Sequence, residues 1–183
     1  MDLTSELKER IRTVPDFPKP GILFKDITPI FEDPPLLARC IDAIDNHFSA
    51  GGYDLIGGIE ARGFIFGAML SQKTGKPFIP IRKAGKLPGK TFRESYQLEY
   101  GQAEIEIHQD AIPAGARILL LDDLLATGGT AAAAIKLIEQ TGGKLAGIAF
   151  LIDLAFLGSL ARLRETGVTD DQILSLVSYG AGQ

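Results

Sequence analysis

The sequence predicts an α/β fold in which a central, mostly parallel sheet is flanked by helices, with an N-terminal cover and an antiparallel flap added to it. Three observations carry that expectation. Apolar runs of strand length alternate with segments of helical periodicity, the order that builds a parallel sheet. Two of the strand-to-helix joints, at 60–63 and 126–130, are glycine loops bearing charged or hydroxyl residues, and ligands of such folds lie at the strand C-terminal ends. The stretch 91–110 alternates with period two about Gly101, which reads as a hairpin.

Composition bounds the rest. A chain of 183 residues, 45% hydrophobic and 23% charged, reads as one domain over 1–183. A net charge of −4 argues against nucleic acid as partner, since phosphate-backbone affinity comes from clustered Lys and Arg. Cys40 is the only cysteine, so neither an internal disulfide nor a cysteine metal cage can form. There is no N-terminal signal pattern and no run of 18 apolar residues, so a cytoplasmic protein without a membrane segment is expected.

Taken in order, Leu3, Leu7, Ile11 and Val14 share a helical face, predicting an opening helix over 3–14. Pro15, Pro18 and Pro20 before Gly21 exclude helix and central strand and leave an irregular, proline-stiffened cover over 14–29. Within it, Phe24 is either plain core or an aromatic that lies on a flat heterocycle while backbone groups read its edge. Leu37, Ile41, Ile44 and Phe48 predict a helix over 36–49, with Cys40 packed beside the stripe and His47 solvated. A strand at 55–59 then leads through Glu60-Ala61-Arg62-Gly63 into a helix over 64–73. An arginine beside a glycine at a helix start offers a charged fork next to free N–H groups, which suits a diphosphate; the alternative is a solvent-facing arginine on a turn.

A third strand over 78–82 runs into a loop carrying Arg82, Lys83, Lys86 and Lys90. On a chain of net negative charge this patch should face an anion, although a merely solvated loop is the competing reading. In the hairpin, Tyr96, Leu98 and Tyr100 share one face and Ser95, Gln97 and Glu99 the other, while Ile105 and Ile107 alternate with Glu104, Glu106 and His108. Glu99 lies beside the glycine turn, whereas Glu104, Glu106 and His108 are expected at the surface. A flap of this kind can close over a site and exclude water from it.

The stretch Ile118 to Thr130, I-L-L-L-D-D-L-L-A-T-G-G-T, organises the chain as a buried strand, an acidic pair, a small-residue loop and a helix start. Gly128 and Gly129 let an anion approach the main chain, and the first turn of a helix presents unpaired N–H groups. With the Thr127 and Thr130 hydroxyls, Ala126 to Thr130 would cradle a phosphate monoester. Asp122 and Asp123 repel each other unless sugar hydroxyls or a magnesium ion neutralise or hydrogen-bond them. A Walker P-loop is excluded because Thr130 stands where its lysine belongs. Beyond this, Ala131, Ala134, Ile135 and Ile138 predict a helix ending at Gly142-Gly143. A strand over 146–153, a helix through Leu157, Leu160 and Leu163, an edge strand over 173–177 and a frayed tail from Tyr179 complete the chain.

D-D-L-L-A-T-G-G-T resembles the phosphoribosyl-diphosphate signature of the type I phosphoribosyltransferases, in the version carried by adenine phosphoribosyltransferases. The resemblance implies that Asp122 and Asp123 hold the ribose 2′ and 3′ hydroxyls and that Ala126, Thr127, Gly128, Gly129 and Thr130 wrap the 5′-phosphate. F-P-x-P-G-I-L-F-K-D-I-T-P is similar to the base-covering hood of that family, within about 1–35, and implies adenine contacts from Leu23, Phe24 and Lys25; the family usually has arginine where Lys25 stands. E-A-R-G-F-x-F-G is similar to its diphosphate loop and carries over Arg62. R-K-x-G-K-L-P implies that Arg82, Lys83 and Lys86 meet the diphosphate or a partner subunit. S-Y-x-L-E-Y-G resembles the family's flexible catalytic loop, a flap of about 84–108, with Glu99 as general base or proton relay and Tyr100 beside it.

The activity so implied is transfer of 5-phosphoribosyl from 5-phosphoribosyl 1-diphosphate to adenine, giving AMP and diphosphate in purine salvage. Mg²⁺ is implied as cofactor, held mainly by substrate with no direct protein ligand, and the working form as a homodimer. Two alternatives stand beside this: an oxopurine phosphoribosyltransferase, and a non-catalytic sensor of phosphoribosyl diphosphate. Such a sensor would normally carry a DNA-binding module, and the chain has no basic helical segment for one. Adjacent aspartates, rather than D-x-D, argue against a phosphoaspartyl phosphatase.

Overall fold

The computed structural model describes residues 2–97 and 101–182. Helix α1 (Leu3–Arg10) is N-capped by Asp2, whose carboxylate accepts the Ser5 N–H at 3.0 Å. It stops earlier than its apolar spacing predicts: Ile11 is buried, but 12–15 become strand β1 (Arg12–Pro15), paired antiparallel with β2 (Leu23–Asp26). Thr13 and Val14 are β-branched and Val14 precedes a proline, both of which turn the chain away from helix. The expected irregular cover is therefore a two-stranded ribbon at its two ends, with Pro15 at the last position of β1 and Pro18 and Pro20 in the connecting loop.

Helices α2 (Thr28–Phe31) and α3 (Pro34–Phe48) lead to β3 (Leu55–Ile59), α4 (Gly63–Thr74) and β4 (Phe78–Lys83). The hairpin is β5 (Thr91–Gln97) and β6 (Gln102–His108), and the central unit is β7 (Arg117–Leu125) and α5 (Gly129–Gln140). Strand β8 (Lys144–Leu154), α6 (Ser159–Arg164) and β9 (Ile173–Tyr179) close the chain. Seven strands form one sheet in the order β5-β6-β4-β3-β7-β8-β9. From β4 to β9 the pairings are parallel; β6 joins β4 antiparallel through Arg82↔Glu106 and Lys83↔Ile105, so the flap extends the main sheet.

Both faces of the sheet are covered, and β7 shows how one run serves both. Leu119 and Leu121 belong to a core with α1, α3 and α4, including Ile41, Phe66 and Leu70. Ile118 and Leu120 belong to the other, with Ala134, Ile135 and Ile138 of α5 and Leu163 of α6. Alternation of side chains along a strand makes a doubly buried run continuously apolar.

Helix α4 makes its closest backbone approach to β7 at a glycine. A Cβ on Gly63 would lie 2.5 Å from the Leu121 carbonyl oxygen and 3.2 Å from the Asp122 Cα. Gly63→Ala must therefore push the helix start off the strand, an overpacking that costs about 1–3 kcal/mol. For a chain of this size the melting temperature should fall by about 2–4 °C per kcal/mol, which calorimetry would read. An unchanged melting temperature would show that the close approach is not needed.

Two surface expectations are corrected. Glu106 has no solvent exposure, because the loop between β4 and β5 folds over the polar face of β6 and donates to its carboxylate. Tyr179 is buried at the end of β9, so the tail begins after it; its ring lies 4.1 Å from the Lys25 ammonium.

Candidate active site

The strand β7 continues to Leu125, so the acidic pair lies within it and the connecting loop is only Ala126–Gly128. The two glycines that follow have different physical reasons. Gly128 has φ +77°, the left-handed region that disfavours side chains, and a Cβ there would lie 3.1 Å from the Ser159 carbonyl oxygen. Gly129 is already the first residue of α5; it lacks a side chain where the Gln97 carbonyl oxygen and the Tyr96 ring of the flap pack, 3.3 and 3.4 Å from a Cβ position. Together with Ala126, Thr127, Thr130, Asp122 and Leu157 they line a cavity of about 230 Å³. First-turn N–H groups without intrahelical partners make this the place for an anion.

The strand splits the acidic pair. Asp122 lines the cavity, and its Oδ1 accepts the Asp123 N–H at 2.9 Å. Asp123 is not among the residues lining that cavity, and its Oδ2 lies 2.7 Å from Arg62 Nε. Burial, and then the charge of Asp123 beside it, push the Asp122 carboxyl well above the usual carboxylate range. The two glycine loops therefore meet in one ion pair. Arg62 keeps a side chain 43% exposed while Asp123 is 10% exposed, so the guanidinium can reach a ligand from a buried anchor.

The cationic loop is braced rather than loose. Arg82 donates to Glu60 through Nε at 3.1 Å and Nη2 at 2.9 Å, and through Nη1 to the Lys86 carbonyl at 3.0 Å. The Lys83 N–H adds a fourth bond, to Glu60 Oε2 at 3.1 Å. The Arg82 hydrogen bonds, with the Lys83 amide, hold the Glu60 carboxyl below its ordinary value against the opposing effect of burial. Arg82 is thus occupied within the chain, whereas the Lys83 and Lys86 side chains are exposed and, among the described residues, form no ion pair.

Beside the phosphate cavity lies an apolar one of about 430 Å³, lined by Ile22, Leu23, Lys25, Ala126, Phe156 and Leu157 among others. Ala126 and Leu157 belong to both, so the two are contiguous. In the ribbon, Leu23 and Lys25 share the face that lines this slot, while Phe24 faces away and packs edge-on against Phe17, with ring centroids 5.1 Å apart. The Lys25 ammonium donates to Thr13 Oγ1 at 2.9 Å, and burial lowers its pKa.

Sequence reading missed Phe156 and took Leu157 for part of a helical stripe. They occupy a 3-10 turn, Ala155–Leu157, between β8 and α6. The available signal was two large apolar residues just past a strand end, where ligand loops belong, and both stay exposed at 52% and 38%. Cys40 is fully buried with its thiol pushed up to about 12, so it packs and does not react. Glu99 and Tyr100 lie outside the described residues, between Gln97 at the end of β5 and Gly101. Among the described residues, no group of three or more His, Cys, Asp or Glu side chains is placed to hold a metal, and no helix is long and apolar enough to cross a membrane.

Comparison with known proteins places this geometry. Residues 26–169 match the phosphoribosyl transferase domain family. The adenine phosphoribosyltransferase of Sorangium cellulosum is 50% identical over 177 residues, covering 97% of this chain and 88% of that protein. A crystal structure of adenine phosphoribosyltransferase from Thermoanaerobacter pseudethanolicus superposes with TM-score 0.89 at 44% identity, covering 97% of this chain and 100% of the other. The Saccharomyces cerevisiae enzyme, complexed with an imino-altritol bisphosphate and adenine, superposes with TM-score 0.85 at 41% identity over 95% of this chain and 98% of its own.

Proposed function

The chain belongs to the phosphoribosyl transferase family, and we propose that it is an adenine phosphoribosyltransferase, which transfers the 5-phosphoribosyl group of 5-phosphoribosyl 1-diphosphate to adenine and releases AMP and diphosphate. The observation that carries this reading is the pair of contiguous cavities: a threonine–glycine loop with Asp122 at its edge, opening into an apolar slot lined by Leu23 and Phe156. We read 1–183 as one such domain, with a hood over about 1–35 and a flap over about 84–108.

The 5′-phosphate settles on the N-terminus of α5 between Thr127 and Thr130. Asp122 accepts hydrogen bonds from the ribose hydroxyls, with Asp123 acting through Arg62 at the next loop. Arg62, Lys83 and Lys86 meet the diphosphate, while Arg82 holds their loop in place. Leu23 and Phe156 sandwich the base, and Lys25 and Tyr179 secure the ribbon that carries Leu23. As the bond from the anomeric carbon to diphosphate breaks, positive charge develops on the sugar and the ring nitrogen of adenine attacks; Glu99 takes the proton that this nitrogen loses.

Mg²⁺, carried by the substrate, would neutralise the leaving diphosphate. The donor set fits an ion held chiefly by substrate oxygens and water, with Asp122 offering a carboxylate in the cavity. The same reading makes the protein a cytoplasmic homodimer of purine salvage. Support for a subunit contact comes from the exposed lysines of the cationic loop and from an apolar groove of about 510 Å³ between α3 and α4, lined by Ala38, Ile41 and Met69.

The test is AMP formation from radiolabelled adenine and phosphoribosyl diphosphate with Mg²⁺, beside hypoxanthine and guanine. Turnover selective for adenine and dependent on Mg²⁺ is expected. Equal or greater rates with an oxopurine would overturn the substrate assignment, and tight phosphoribosyl-diphosphate binding with no turnover on any base would make the chain a sensor.

A further inference from the structure

Glu106 is a fully buried carboxylate on a strand where its neighbours alternate as if facing water. Its partners explain the burial. Oε1 accepts two consecutive backbone N–H groups, from Lys86 at 2.9 Å and Leu87 at 2.8 Å. Oε2 accepts from the Thr91 hydroxyl at 3.2 Å and from Arg93 Nε at 3.1 Å. All of its lone-pair directions are used, and each donor belongs to the loop between β4 and β5 or to the first residues of β5. Burial alone would raise this carboxyl; the Leu87 and Lys86 amides, with Thr91 and Arg93, outweigh it and hold it below the ordinary glutamate value.

The arrangement solves a problem that the loop poses. Arg82, Lys83, Lys86 and Lys90 repel one another, and a loop of such residues would sample many conformations before an anion arrived. Glu60 pins its start through Arg82 and the Lys83 amide, and Glu106 pins its middle through the Lys86 and Leu87 amides. Two carboxylates thus hold the backbone while the lysine ammonium groups stay exposed. We propose that Glu106 is the positioning residue that keeps Lys83 and Lys86 arranged to receive the diphosphate. This rests on the reading that the cationic loop meets the diphosphate. The contribution is pre-organisation: ordering of backbone and side chains is completed before the ligand binds.

Calorimetric titration of inorganic diphosphate with Mg²⁺ into the full-length protein, together with steady-state kinetics, tests it. In Glu106→Gln the amide nitrogen meets the Arg93 Nε–H donor to donor while the Thr91 hydroxyl must turn to accept from it, and the negative charge is gone. Diphosphate affinity should fall about tenfold, and the KM for phosphoribosyl diphosphate should rise in step, while the KM for adenine stays at the wild-type value. Thr91→Val removes one donor with almost no change of shape and should shift diphosphate affinity about twofold in the same direction. A folded Glu106→Gln that binds diphosphate like wild type overturns the proposal, as does one in which both KM values and kcat move together with the melting temperature. If Glu106→Gln does not fold, wild-type affinity in Thr91→Val overturns it. Lys83→Ala/Lys86→Ala reports separately on the underlying reading: wild-type diphosphate affinity in that variant removes the loop from the diphosphate site, and the role of Glu106 with it.

Discussion

Replacing Glu99 by alanine should lower kcat for AMP formation by about 10²–10⁴-fold, the usual contribution of a positioned acid or base. The ring nitrogen of adenine that attacks the anomeric carbon carries a proton in the predominant neutral form, and the new bond leaves that nitrogen cationic until the proton departs. Under the proposed function Glu99 takes it; Tyr96 and Gln97, just before that segment in the chain, pack on Gly129 at the start of α5. KM values should move little, because this interaction belongs to the transition state. Glu99→Gln keeps the size and loses the basicity, so it should fall nearly as far as alanine. Single-turnover rates separate chemistry from product release. A glutamine variant with the wild-type chemical rate would remove Glu99 from the proton path.

Asp122→Asn should weaken phosphoribosyl-diphosphate binding by about 10–10²-fold, since a hydrogen bond to a charged group contributes roughly 1.5–3 kcal/mol. The raised carboxyl of Asp122 adds a pH signature. In the free protein Asp122 retains its proton above the pH at which an unfolded aspartate loses it. Ribose hydroxyls donate to the ionised form, so affinity should rise as pH rises through the raised value, and binding in that range should release a proton. Titrations in buffers of different ionisation enthalpy read this directly, and the Asp122→Asn protein should lack the Asp122 part of the release.

The sign for stability is opposite to that for binding. A folded-state value above the unfolded one means that the native protein binds more protons, so stability is fully present below the unfolded aspartate value and is lost as pH rises through the folded one. At pH 8 the asparagine variant should therefore melt at a higher temperature than wild type while binding substrate more weakly. A variant no more stable than wild type at that pH would show that Asp122 is not held at a cost in the free protein. Under the proposed function the strand end sacrifices stability to keep a carboxylate available to the sugar, and the Asp123–Arg62 pair beside it limits the repulsion.

Much of this molecule was legible in local chemistry. The strands at 55–59 and 78–83, the helices over 34–48 and 129–140, and the two glycine loops follow from periodicity and from residues whose backbone preferences leave few choices. The cavity-lining loop at 126–130 was legible because a Thr–Gly–Gly–Thr run after an acidic strand end is itself a local arrangement, built from consecutive residues. The start of β1 was not, since the same apolar spacing serves Ile11 in a helix or just beyond one.

What the tertiary structure alone decided concerns partners far apart in the chain. Periodicity placed Glu106 on a solvent face, and only the folding of residues 86 and 87 over β6 turned that face into an interior one. Arg82 read as an anion ligand, and in the fold Glu60, on a different loop, accepts from the Nε–Nη2 edge of its guanidinium. The acidic pair read as one unit, and in the fold Asp122 lines the cavity while Arg62, from the neighbouring loop, engages Asp123. Phe156 and Leu157 became walls of the apolar slot because β8 ends beside the 126–130 loop. The sequence by itself therefore determined which chemistries are present and on which loops. Which charge faces a ligand and which is spent on another charge depended on desolvation and long-range pairing, and those exist only once the chain is folded.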